Sequence, residues 1–162
     1  MLEEEPRRRE AIVRAIGAFL RQLHALPVAD CPFDASHLYR LGGARRNIDA
    51  GLVPGDEFDP ERQGWTAEQV WNAMHAAMPP SFGRVVTHGD YLTGNIFLDE
   101  ENRVTGLIDL GRVGVADPYQ DLAILWNNLR EYDLEALLFE AYGEAEPDER
   151  RLHFHLMLDE LF

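Results

Sequence analysis

Between Arg84 and Gly111 this chain abandons the helical spacing of its flanks for short β-branched runs broken by turn residues. Val85-Val86 centres one run. Ile96-Phe97-Leu98 and Val104-Thr105-Gly106-Leu107-Ile108 read as a hairpin across Asp99 to Arg103. On either side the pattern is helical. Ile12, Val13, Ile16, Phe19, Leu20 and Leu23 recur at three- and four-residue spacing between Pro6 and Leu26, and Pro27 stops that helix. A short helix is expected over Leu38 to Ala50. Thr66-Ala67-Glu68-Gln69 reads as a capping box opening another, with Val70, Trp71, Met74 and Met78 as its apolar face. After a glycine-containing loop to Asp117-Pro118, three helices are expected over Pro118 to Glu131, Asp133 to Tyr142 and Asp148 to Leu161. A small hairpin set into an otherwise helical chain limits the fold to an α+β class, in one domain over residues 1–162.

Polar motifs flank the hairpin. Before it comes His88-Gly89-Asp90-Tyr91-Leu92-Thr93-Gly94-Asn95; after it comes Ile108-Asp109-Leu110-Gly111. Phosphoryl transfer needs an aligned hydroxyl, an acceptor for its proton, and divalent metal on the phosphates. Asp90 can take the proton. Asn95, five residues on, offers a neutral hard oxygen to Mg²⁺, and Asp109 offers a carboxylate. The hairpin brings Asn95 and Asp109 side by side, and Gly111 is read as permitting the turn that points Asp109 inward. His88 is expected to brace the loop by hydrogen bonds. The order is that of protein kinases, with His-Gly-Asp for His-Arg-Asp and Asp-Leu-Gly for Asp-Phe-Gly.

The net charge of −14 argues against a nucleic-acid partner and suits a cationic one. Acidic residues collect at Asp56, Glu57, Asp59 and Glu61. All 15 basic residues are arginine. The single cysteine, Cys31, cannot form an internal disulfide and fits a reducing cytoplasm. No apolar run approaches the length of a membrane span. His153 and His155 fall on different faces of a helix, which argues against a zinc site there.

Through these motifs the sequence resembles the aminoglycoside phosphotransferases, closest to their 3′-phosphotransferase group. The likeness runs from Leu20-Arg21-Gln22-Leu23-His24 through Val86-Thr87-His88-Gly89-Asp90 and Gly106-Leu107-Ile108-Asp109-Leu110-Gly111-Arg112 to Leu158-Asp159-Glu160-Leu161-Phe162. It implies ATP-dependent phosphorylation of an aminoglycoside hydroxyl, with Asp90 as base and Asn95 and Asp109 as Mg²⁺ ligands. It further implies substrate contacts from Arg112, Glu131, Asp159, Glu160 and the Phe162 carboxylate, with Asp59 and Glu61 in an acidic substrate loop. Asp121 is implied as a buried carboxylate tying down the catalytic loop. The terminal run resembles the family's own C-terminus, so the chain is expected to be complete at that end.

The implied fold is a protein-kinase-like C-terminal lobe. A phosphate-covering loop and a phosphate-binding lysine are absent from the sequence, so the nucleotide lobe is expected to be missing and the chain alone inactive toward ATP. Apolar surface where that lobe would dock is expected, and with it self-association. Other readings weighed are a kinase for choline, homoserine, a sugar or a macrolide; a non-catalytic polycation-binding lobe; and a metal-dependent hydrolase using Asp90 and Asp109.

Overall fold

The computed structural model describes residues 6–55, 58–144 and 146–162; Asp56 and Glu57 of the acidic loop lie outside them. The stripe on α1 (Pro6–His24) buries Ile12, Val13, Ile16 and Leu20. They pack against α5 (Glu135–Tyr142) and α4 (Tyr119–Leu129). Gly17 sets how closely α1 approaches α5, because a Cβ there would lie 2.9 Å from that of Ala141. A second core joins Ala44 of α2 (His37–Asp49), Val70 and Met74 of α3 (Ala67–Ala76), and Phe154, Met157 and Leu158 of α6 (Glu149–Asp159). α6 packs on both α3 and α4 and so links the two cores. On α6 His153 is exposed and His155 buried, on separate faces as expected.

The capping box is formed. Thr66 Oγ1 accepts from the Gln69 amide at 3.2 Å, and Gln69 Oε1 accepts from the Thr66 amide at 2.8 Å. Thr66→Ala is expected to lower stability by about 1 kcal/mol. Urea denaturation followed by circular dichroism would check this, and an unchanged midpoint would contradict it.

The expected strands appear as β1 (Val85–Thr87) and a hairpin of β2 (Ile96–Leu98) and β3 (Val104–Leu107), with Ile108 just past its end. The glycine-containing loop is not all loop. Within it, β4 (Gly114–Ala116) pairs antiparallel with β1, Val86 opposite Val115. Its other edge meets the 33–35 segment, where the Val115 amide donates to the Phe33 carbonyl and the Ala35 amide to the Val115 carbonyl. Gly114 must lack a side chain, since a Cβ would sit 2.7 Å from that of Ala35. Three residues carry too little pattern to reveal a strand whose partners are 27 to 82 positions away in the chain. Among the described residues, no helix is long and apolar enough to cross a membrane.

Candidate functional site

β1 delivers the chain into the His88–Asn95 loop, and α4 holds that loop from beneath. Asp121, fully buried in the first turn of α4, accepts from the backbone amides of His88 at 2.8 Å and Gly89 at 2.7 Å. His24, at the end of α1, also reaches it, with Nε2 at 3.0 Å from Asp121 Oδ2. A carboxylate can only accept, so Nε2–H donates and Nδ1 is left for the Tyr142 hydroxyl, 2.9 Å away. Burial, with Glu144 nearby, pushes the Tyr142 phenol up to about 12 and keeps it an O–H donor. Seven residues along the same face of α4, Asn128 Oδ1 accepts from the Thr93 amide at 3.1 Å. Tyr91 is buried and donates to the Ile16 carbonyl at 3.0 Å, fastening the loop to α1.

His88 makes the bracing contacts within the loop. Its Nδ1 accepts from the Asp90 amide at 3.2 Å and its Nε2 donates to the Ile108 carbonyl at 2.9 Å. Asn95 adds a second tie, as its Nδ2 donates to the carbonyl and to Oδ2 of Asp90, both at 3.0 Å. Asn95 also accepts from the Ile108 amide through its own carbonyl, at 3.0 Å. His88 and Asn95 thus both grip the residue before Asp109. The left-handed conformation of this turn belongs to Asp109 itself, at φ 59° and ψ 54°, and not to Gly111, whose φ is not positive. Asp109 is exposed and has no hydrogen-bond partner among the described residues. Ile108, Leu110 and Phe97 are exposed apolar neighbours.

Asp90 opens onto a cleft of about 870 Å³ that Asp59, Glu131, Asp159, Glu160 and Phe162 also line. Arg112 and Glu61 are not in its wall but each lies one contact behind it. Most of these carboxylates are already paired. Asp159 Oδ1 accepts from Arg40 Nη2 and Arg112 Nη1, both at 3.0 Å. Glu160 is held by Arg62 through Nε at 2.8 Å and Nη2 at 2.7 Å. Asp59 accepts from Arg130 at 3.1 Å and Glu61 from the same guanidinium at 3.3 Å. The guanidiniums of Arg40 and Arg112 each lie over the Phe162 ring, 4.9 Å and 5.6 Å from its centroid. Among the described residues, Glu131 has no partner.

Sequence reasoning missed Arg40, Arg62 and Arg130, the internal counterions, and Asn128. The Asp121-to-Asn128 spacing, two turns on one helix face, could have found the last. Nothing local marks Arg40 and Arg62 as buried.

A model described as the phosphotransferase enzyme family matches residues 2–155. The chain is 51% identical over 164 aligned residues to an aminoglycoside 3′-phosphotransferase of Escherichia coli, covering 100% of this chain and 60% of that protein. Its backbone matches the crystal structure of an aminoglycoside-3′-phosphotransferase of type VIII with TM-score 0.92 and 33% identity, over 98% of this chain and 63% of that one. It matches APH(3″)-Id from Streptomyces rimosus, solved with ADP and streptomycin, with TM-score 0.81 and 32% identity, over 94% of this chain and 62% of that one. The chain spans about 60% of the length of the curated relative.

Proposed function

On the premise that this chain belongs to the phosphotransferase enzyme family, we propose that it carries the hydroxyl-activating, metal-holding and substrate-binding part of an ATP-dependent aminoglycoside O-phosphotransferase. The observation that carries this reading is Asp90, oriented by Asn95 at the edge of an acid-lined cleft. The Asn95 amide occupies Asp90 Oδ2. Oδ1 makes no hydrogen bond among the described residues and is left to accept a proton. A substrate hydroxyl placed there donates its proton to Asp90 as its oxygen bonds to the γ-phosphorus and the bond from that phosphorus to the leaving diphosphate breaks. Glu131 and the acidic wall place the hydroxyl by receiving the substrate's ammonium groups through charge-assisted hydrogen bonds.

The donor set suits Mg²⁺. With Nδ2 spent on Asp90, Asn95 keeps Oδ1 as a free acceptor, and Asp109 keeps an unpartnered carboxylate. Bound there, Mg²⁺ would neutralise phosphate oxygens. ATP as donor is supported by the ADP complex of the S. rimosus neighbour. A cytoplasmic setting, with ATP at hand and the free Cys31 thiol kept reduced, accords with the same reading.

Calorimetric titration of kanamycin and neomycin, with and without Mg²⁺-ATP, tests the proposal. Binding is expected. Glu131→Gln is expected to weaken it roughly tenfold, the worth of one hydrogen bond to a charged group. Binding of neither drug would refute the reading.

A further inference from the structure

Five carboxylates line the cleft: Asp59, Asp90, Glu131, Asp159 and Glu160. Their internal partners differ in kind. Arg40 and Arg62 are 5% and 6% exposed, so the pairs they make with Asp159 and Glu160 belong to the fold. Arg112, the second arginine on Asp159, is exposed but does not line the cleft; Arg130 is different from all three. Its side chain is about a third exposed and lines the cleft itself. It reaches from the turn after α4 to the 59–61 segment, where it meets Asp59 at 3.1 Å and Glu61 at 3.3 Å. Its guanidinium rests over the Trp126 indole, 5.0 Å from the ring centroid.

We propose that Arg130 is an internal cation occupying the Asp59 position of the cleft, and that it makes the cleft selective for ligands bearing several cationic groups. The proposal rests on the reading of this cleft as a polycation site. The Asp59 side chain is only 6% exposed, so its carboxylate requires a cation close by. Arg62 Nη2, at 3.8 Å, is too far to hydrogen-bond it and is committed to Glu160. Arg130 therefore competes directly with a ligand ammonium for Asp59. As part of the same chain it competes at high effective concentration, which a monocation from solution cannot match. A polycation can. Anchored by one ammonium at Glu131, it presents the next at a comparable effective concentration and displaces the guanidinium, which keeps its place against Trp126. Selection arises from an element that must be displaced as well as from attractive contacts.

The test is calorimetry on the whole chain, using kanamycin as polycation and choline as monocation, with Arg130→Gln and Arg130→Lys beside the wild type. Arg130→Gln is expected to bind kanamycin about tenfold more tightly and to gain more for choline, so that the preference between the two narrows. Arg130→Lys, which keeps the charge, is expected to stay near the wild type. Thermal melts give a second readout. Arg130→Gln leaves the Asp59 carboxylate without its nearest cation, so its melting temperature should fall, and kanamycin should raise it by more than in the wild type. Kanamycin binding to the wild type with no gain in Arg130→Gln overturns this inference and leaves the function standing. Kanamycin binding to neither overturns both. Binding by Arg130→Gln alone would show a guanidinium that kanamycin cannot displace, and overturns the inference that Arg130 selects for polycations.

Discussion

Asp121→Ala is expected to remove on the order of 4 kcal/mol of stability, a loss comparable with the whole folding free energy of a weakly stable domain. The reason is the number of donors that converge on one buried carboxylate. The amides of His88 and Gly89 and the Nε2 of His24 all point at it, and no water reaches the side chain. Removing it leaves three buried donors unsatisfied, each carrying a desolvation penalty of about 1–3 kcal/mol. The damage reaches the site directly, because the two amides belong to the residues just before Asp90. Asp121→Asn is the informative companion. It keeps the volume and one acceptor oxygen but turns an NH₂ toward a donor, so its loss should fall between wild type and alanine. Urea denaturation measures both, and amide hydrogen exchange at His88 and Gly89 shows whether the loop opens first. An alanine variant that loses less than about 1 kcal/mol would sink the idea that this carboxylate organises the loop.

The helices and the hairpin were legible because they rest on patterns local in the chain. The α1 stripe and the Thr66–Gln69 capping box need no distant partner to be recognised. The loop from His88 to Asn95 was legible for a related reason. A short run of polar and glycine residues between two strands has few structural explanations, and Asp90 does meet Asn95. Three things were hidden. The strand β4 exists only through its neighbours. The left-handed turn sits on Asp109 rather than on the adjacent glycine, since Asp tolerates that conformation and Gly111 has no call for it. The acidic residues looked like an open anionic wall, yet Asp159, Glu160 and Asp59 each have an arginine. Pairing partners 119, 98 and 71 residues apart leave no trace in local spacing. That all 15 basic residues are arginine says nothing of which carboxylate each one meets.

Gly89→Ala is the other substitution expected to be ruinous, with a loss of about 3 kcal/mol or more. Gly89 has φ 86°, and an L side chain in left-handed backbone costs about 1–2 kcal/mol by itself. The larger problem is contact. A Cβ at this position would overlap the Arg112 carbonyl oxygen and lie 2.6 Å from the Arg112 Cβ. Neither side can yield cheaply. The Gly89 amide is fixed on Asp121, and the chain after Arg112 enters β4, where Gly114 is already pressed against Ala35. Relief requires separating the His88–Asn95 loop from Arg112, and Arg112 is one of the two arginines on Asp159. The His-Gly-Asp motif thus has glycine where protein kinases have arginine for a steric reason visible here: backbone passes directly over it. Gly111→Ala supplies the comparison. A Cβ there would meet nothing nearer than Asp109 Oδ1 at 4.0 Å, and the backbone is not left-handed. That variant should stay within roughly 1 kcal/mol of wild type. Urea midpoints for the two, with kanamycin calorimetry on whichever folds, decide the matter. Equal stability in the two variants would show that the loop and the Arg112 segment can part at little cost, and that the close approach at Gly89 does not organise the site.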